Sequence, residues 1–239
     1  MRLATVFSVA FAVGVASGSS YDVASRLKVM SFNLRTSIAN DPCPSGCWGQ
    51  RKDRIKQLVE KYEPDLIGTQ EGAPDQIQFF EDQLSFASTG ECAGECQWNE
   101  RNSIFYRADR WEVLETSTFA LHCQAEDTVL MTGDLNAVPQ SSAVLYLADQ
   151  GPIDGANTPI PMYDTLTAAG AGGPTWIGSS FGNNPAGAKY DYIFSRRDSN
   201  TCLRNGTILV DTFGGYSSSD HAVLLSEFCL GNECLSCIA

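Results

Sequence analysis

Five short apolar runs, spread along most of a 239-residue chain, each carry an acid, an amide or an imidazole at one end. Leu27 to Arg35 reads as a strand delivering Asn33, and Asp65 to Glu71 as a strand ending in Gln70-Glu71. Val129-Leu130-Met131 runs into Thr132-Gly133-Asp134-Leu135-Asn136-Ala137, a turn that sets a carboxylate and an amide at a strand's end. Lys189-Tyr190-Asp191-Tyr192-Ile193-Phe194 is a further acidic strand, and Ser219-Asp220-His221 leads into the apolar Ala222 to Leu225. Together these offer what metal-assisted hydrolysis of a phosphate ester needs: anionic oxygens for a hard cation, a base for water and a cation for the oxyanion. Gly-Asp-x-Asn alone means little, because turns favour those residue types. The ordered set carries the argument.

That order resembles the endonuclease/exonuclease/phosphatase superfamily, which includes pancreatic deoxyribonuclease, abasic-site endonucleases, inositol polyphosphate phosphatases, neutral sphingomyelinases and deadenylases. The resemblance runs from about Lys28 to Phe228, and Arg51-Lys52-Asp53-Arg54-Ile55 and Asn102 to Arg107 fit it as well. It implies an α+β fold, a four-layered α/β sandwich of two packed mixed β-sheets flanked by helices. It also implies Mg²⁺, with Mn²⁺ as substitute, held by Asn33, Glu71 and Asp220 directly or through water. Asp134 would orient or deprotonate the attacking water, and Asn136 would hold that water or a phosphate oxygen. His221 would donate to the phosphoryl oxygen, with Asp191 buttressing its other ring nitrogen.

One departure from the family pattern stands out. Members carry a strand ending in Thr-His-Leu and a following helix before the Gly-Asp-x-Asn strand. Here Glu115 to Leu121 runs almost directly into Thr128, with only His122 to Asp127 between. A core strand with its crossover helix takes about a dozen residues or more. The expectation is a central deletion that leaves a gap in one sheet and removes a second histidine. His122 is the only candidate to replace it, without the Thr before or the Leu after. This opens a second functional class: a weakened or inactive secreted binding protein on the same scaffold, or an incomplete record of an active enzyme.

The N-terminus places the chain in a compartment. Met1-Arg2 precedes an uncharged apolar run from Leu3 to Val15 and then Ala16-Ser17-Gly18, the pattern of a signal peptide over residues 1–18. Residues 19–239 are expected to form one domain, secreted and monomeric, with no transmembrane segment and no protein partner implied. Nine cysteines agree with export. Cys43/Cys47, Cys92/Cys96 and Cys234/Cys237 are close pairs read as disulfides, with zinc the alternative, and a Cys202–Cys229 bridge would staple neighbouring strands. Asn205-Gly206-Thr207 is a glycosylation motif suited to a surface turn.

The net charge of −12 bears on partners. Sequence-independent nucleic-acid binding rests on Lys/Arg–phosphate contacts, so among the expected substrates, a phosphorylated small molecule, a lipid headgroup or a nucleic acid, the balance favours a small phosphorylated one over a long nucleic acid. Arg51, Lys52, Arg54 and Lys56 cluster, but their spacing reads as the solvated face of a helix. That helix is expected from about Arg51 to Lys61, with Ile55, Leu58 and Val59 inward. Pro74 opens a second, with Ile77, Phe80 and Leu84 on one face. Ile104 to Tyr106 and Trp111 to Leu114 read as a hairpin, Ser141 to Leu147 as a short helix, and Pro159 to Pro161 and the glycine-rich Gly170 to Pro174 as loops.

Overall fold

The computed structural model describes residues 9–12, 25–92, 99–113, 128–182, 186–196, 201–230, 234 and 237–238. The elements run β1 (Val9–Ala12), β2 (Ser25–Asn33), α1 (Trp48–Tyr62), β3 (Leu66–Gly72), α2 (Pro74–Leu84), β4 (Ala87–Cys92) and β5 (Arg101–Tyr106). After these come β6 (Val129–Asp134), α3 (Ser142–Leu147), β7 (Met162–Asp164), α4 (Thr165–Ala168), β8 (Asp191–Arg196), β9 (Thr201–Leu209) and β10 (Val223–Leu230). Among the described residues no helix is long and apolar enough to cross a membrane.

Two sheets form. One has six strands in the order β4-β5-β3-β2-β10-β9, and the other four in the order β1-β6-β8-β7. The one parallel pairing among the described strands joins β2 to β3, across the α1 crossover; the rest are antiparallel. Strand alternation sorts the apolar side chains into three cores. Met30, Phe32, Val223 and Leu225 pack against Ile55, Leu58, Ile77 and Phe80 of α1 and α2. Leu27, Val29, Leu224 and Phe228 turn the other way, onto Leu130 and Ile193 of the smaller sheet. Val129, Met131, Tyr192 and Phe194 leave that sheet's far face to meet Val144 of α3. Helices, sheet, sheet and helix make the four-layered sandwich.

The sheets are in close contact at Gly68, where a Cβ would lie 1.8 Å from Thr132 Oγ1. A side chain there would force the layers apart, so the glycine is a packing requirement.

Both long helices form as the periodicity predicts, α1 starting earlier, at Trp48. Pro74 opens α2, and Ile77, Phe80 and Leu84 are buried. Three expectations are corrected. The partner of β5 is β4, not Trp111 onward, where no strand forms through Val113; Leu114 lies outside the described residues. Arg51 and Arg54 are not solvated, being 1% and 5% exposed, whereas Lys52 is exposed. Asn205 lies within β9 rather than in a turn, although its side chain is exposed.

Among the described residues the disulfides are Cys43–Cys47, Cys202–Cys237 and Cys229–Cys234. Cys202 and Cys229 are cross-strand neighbours in β9 and β10, yet each bonds to the C-terminal tail instead of to the other. Cys96, Cys123 and the shortened Phe119–Thr128 junction up to Asp127 lie outside the described residues. The strand beside β6 on that side is β1, pairing Val9 with Thr132 through Ala12 with Val129.

Candidate active site

The seven residues singled out in the sequence come from four strand ends and two adjoining turns. Asn33 closes β2 and Glu71 lies at the same end of its parallel neighbour β3. Asp134 ends β6 directly opposite Asp191, the first residue of β8. Asn136 lies two residues beyond Asp134, and Asp220 and His221 immediately precede β10. The sheets thus bring to one rim groups separated by more than half the chain.

Side-chain bonds tie most of them together. The Asn33 amide donates to Glu71 Oε1 at 2.9 Å and to Asp134 Oδ2 at 3.2 Å. Its Oδ1 accepts the Arg35 backbone N–H at 2.9 Å, which fixes the orientation of the amide. Asp134 Oδ1 accepts the Asn136 N–H at 2.9 Å. His221 Nδ1 lies 2.8 Å from Asp191 Oδ2, and Nε2 lies 3.9 Å from Asp134 Oδ2. The Asn136 side chain is exposed at the rim. Glu71, Asn136 and Arg35 all hold left-handed backbone, at φ 57°, 47° and 49°. Such conformations cost about 1–3 kcal/mol each in a non-glycine residue and concentrate at functional sites.

Several supporting groups were not legible in the sequence. Thr175 Oγ1 accepts the backbone N–H groups of Tyr190 and Asp191, setting the start of β8. Backbone bonds from Ala222 to Thr175 and from Ile177 and Gly178 to Asp220 lock that segment to the Asp220-His221 turn. Arg51 donates to the carbonyls of Gly46, Leu34, Arg35 and Ser218, and Arg54 to those of Pro44, Ser45 and Ser217. Two buried guanidinium groups therefore clamp the turn after Asn33 to the segment leading into Asp220. Trp176, 40% exposed, pairs through its backbone with His221.

The electrostatics separate the ionisable groups. Burial alone would lower the His221 pKa, but the hydrogen bond it donates to Asp191 and the charges of Asp191, Asp134 and Asp220 outweigh it and raise it to about 9. Burial, reinforced by Asp191, lifts Asp134 to about 6. Burial also raises Asp220, despite the opposing charges of His221 and Arg35. Asp191 Oδ1 is buried without a hydrogen-bond partner.

This donor set suits a hard divalent cation: carboxylates of Glu71 and Asp220 in electrostatic reach of each other, and an amide oxygen on Asn33 with one lone pair still free. A second cluster, Asp134, Asp191 and His221, has ligand atoms within 4.8 Å of one another, but the imidazole's Nδ1 is already hydrogen-bonded to Asp191.

The model of the Endonuclease/Exonuclease/phosphatase family matches residues 30–221, a span holding all seven residues. The chain belongs to this family. Members of the endonuclease/exonuclease/phosphatase family are hydrolases of phosphoric ester bonds that use divalent metal ions, and the chain is an enzyme of that class. No curated protein matches the sequence. Among solved structures it is similar to a family protein of Bacteroides thetaiotaomicron, at 18% identity and a TM-score of 0.63, over 87% of this chain and 98% of that one. It is also similar to a mannosyl-6-phosphatase of the same organism, at 18% identity and a TM-score of 0.65, over 85% and 100% of the two chains. The human Nocturnin catalytic domain aligns at 14% identity with a TM-score of 0.61, over 86% and 94%. These likenesses concern the fold.

Proposed function

We propose that the chain is a secreted, Mg²⁺-dependent phosphoesterase that cleaves a phosphomonoester or phosphodiester by attack of activated water. The observation carrying this reading is the His221 imidazole set between Asp191 and Asp134, beside the Asn33–Glu71 pair. Glu71 and Asp220 would hold the cation, and Asn33, whose amide donates to Glu71 Oε1, would reach it directly or through water. Bound there, Mg²⁺, or Mn²⁺ in its place, would supply positive charge against a phosphate oxygen and the departing alkoxide.

The protein's own groups divide the proton chemistry. His221, raised to about 9, is an imidazolium at neutral pH and has no lone pair with which to act as base. It donates from Nε2 to the phosphoryl oxygen as charge builds, while Asp191 holds Nδ1. Asp134, raised to about 6, is mostly ionised at pH 7 and still basic enough to take a proton from water. Asn136, at the exposed rim, holds that water or a phosphate oxygen. The test is hydrolysis of activated mono- and diesters by the full-length chain with Mg²⁺. Asp134→Ala and His221→Ala are expected to lose most of the rate; wild-type rates in both variants would sink this assignment.

Export rests on the signal-peptide pattern over residues 1–18 and on the three disulfides among the described residues. Residues 19–239 then form the single domain, acting as a monomer. The −12 charge favours a small phosphorylated molecule or lipid headgroup over nucleic acid as substrate.

One observation supports a second reading, a binding protein without turnover. The short junction before Thr128 leaves no room for the Thr-His-Leu strand and helix, and the edge of β6 is taken by Val9–Ala12. General acid help is worth about 10²–10⁴ in rate, so a lost histidine would matter. Sequencing the transcript across Phe119–Thr128 separates the readings. A longer message restoring that strand and helix favours the enzyme, whereas this junction as the only product, with metal binding but no hydrolysis, favours the binder.

A further inference from the structure

Arg35 belongs to none of the roles assigned above, yet it is built into the same rim. Its backbone is held on all sides: the N–H donates to Asn33 Oδ1, and the carbonyl accepts from Arg51 Nη2 at 2.6 Å and from Gln76 Nε2 at 3.1 Å. Those bonds enforce the left-handed φ of 49°. A conformation this costly, over-determined by its neighbours, fixes where the side chain emerges.

The guanidinium is equally constrained. Nε and Nη2 bond Asp41 at 2.9 and 3.1 Å, and Asp41 belongs to the turn before the Cys43–Cys47 disulfide. Nε also lies 3.8 Å from Asp220 Oδ2, and Glu71 is close enough to act on its charge. Asp41 takes one edge of the fork. A guanidinium carries five N–H donors, and Nη1 has no hydrogen-bond partner among the described residues. The side chain as a whole is 31% exposed. The groups around it on the rim are acidic: Glu71, Asp220 and Glu100. A fixed positive charge with spare planar donors, beside the carboxylates suited to a cation, is complementary to the terminal oxygens of a phosphate.

We infer that Arg35 is a substrate-binding residue that takes a terminal oxygen of a phosphomonoester dianion and so biases the site towards monoesters over diesters. This rests on the phosphoesterase reading and refines its substrate class. A monoester presents three terminal oxygens and a second negative charge; a diester has one oxygen fewer to offer and one charge less. The preference follows from the charge count and does not depend on the leaving group.

The experiment uses the full chain with Mg²⁺ and three probes: inorganic phosphate by calorimetry, p-nitrophenyl phosphate, and bis-p-nitrophenyl phosphate. Removing a charge-assisted hydrogen bond is expected to weaken phosphate binding in Arg35→Gln by about 10- to 100-fold. Arg35→Lys should fall between, since it keeps the charge and loses the fork. The monoester kcat/KM should drop by a larger factor than the diester kcat/KM. Unchanged phosphate affinity in Arg35→Gln, no phosphate binding by the wild type, or equal losses on both esters would overturn the role. If Arg35→Gln does not fold, Arg35→Lys with wild-type phosphate affinity and wild-type ester preference overturns it equally. Turnover of neither ester by a wild type that binds phosphate through Arg35 would instead defeat the phosphoesterase reading and leave the binding role standing.

Discussion

Asp134 and Asp191 face each other directly across β6 and β8, two carboxylates in register on one rim of the sheet. Like charges placed opposite in a sheet are unfavourable. His221 resolves the conflict by offering one ring nitrogen to each, Nδ1 to Asp191 at 2.8 Å and Nε2 towards Asp134 at 3.9 Å. The imidazole is thereby held as a cation, and the first two predictions depend on it.

The titration of His221 is directly observable, because the chain has only two histidines. Its folded pKa is raised to about 9 from an ordinary value of 6.5. The associated stability is therefore fully present below about 6.5 and is lost as pH rises through about 9, a contribution on the order of 3 kcal/mol. In Asp191→Asn the burial of the ring dominates and the pKa should fall by more than one unit. Histidine NMR spectra against pH, with His122→Ala for assignment, measure this. An unshifted His221 resonance in Asp191→Asn would contradict the charge balance.

A base near 6 and an acid near 9 give a bell-shaped pH profile for kcat/KM, rising through the Asp134 titration and falling through that of His221. Asp134→Asn should abolish the acid limb and cost about 10²–10⁴ in rate; His221→Gln should abolish the alkaline limb with a similar loss. Steady-state rates from pH 5 to 10 at saturating Mg²⁺ test the assignment. An acid limb retained in Asp134→Asn would transfer the base role to another group.

Arg51 gives a stability prediction. Its 1%-exposed guanidinium meets four backbone carbonyls and no carboxylate. Burial lowers its pKa to about 10, despite the raising influence of Asp220 and Asp41. Arg51→Met leaves those carbonyls without their donor and should cost roughly 3 kcal/mol or more. Lys52→Ala, one residue away on the exposed face, should stay within about 0.5 kcal/mol. Urea denaturation of both variants distinguishes the clamp from a solvated charge; equal effects would mean the clamp contributes nothing.

The disulfides should contribute according to the loops they close. Cys202–Cys237 spans 35 residues and Cys43–Cys47 spans 4. By loop-closure entropy, removing the first costs about 4 kcal/mol and the second about 2 kcal/mol. Double serine variants compared by thermal melting give the ranking. A larger loss from Cys43–Cys47 would show that this bridge acts through the native rim, where Asp41 holds Arg35.

The strand ends were readable because each combines a short apolar run with a polar terminus, a local signal that survives without a partner. Asn33, Glu71, Asp134, Asp191 and His221 were found that way, and the sheets converge them. Arg51 and Arg54 were not, because a three-residue spacing looks the same whether a helix turns it to water or beneath two loops. Arg35 was passed over because its significance lies in a backbone angle and in Asp41, neither marked by the Asn-Leu-Arg sequence. The β4 strand, Ala-Ser-Thr-Gly-Glu-Cys, has almost no apolar content to announce it. Cysteine connectivity is a three-dimensional property, and proximity along the chain misled for Cys234, whose partner is Cys229.

The pairing of Val9–Ala12 along β6 has a consequence for maturation. Those residues lie within the stretch that export would remove, and the strand they cover is the one that delivers Asp134. A processed chain and an unprocessed chain are then two different sheets, one with a bare margin from Val129 to Thr132 and one with that margin covered. Trimming the N-terminus would do more than release the protein. It would uncover a backbone edge that ends two residues before Asp134, the proposed base, and the amide protons there would record which form is present.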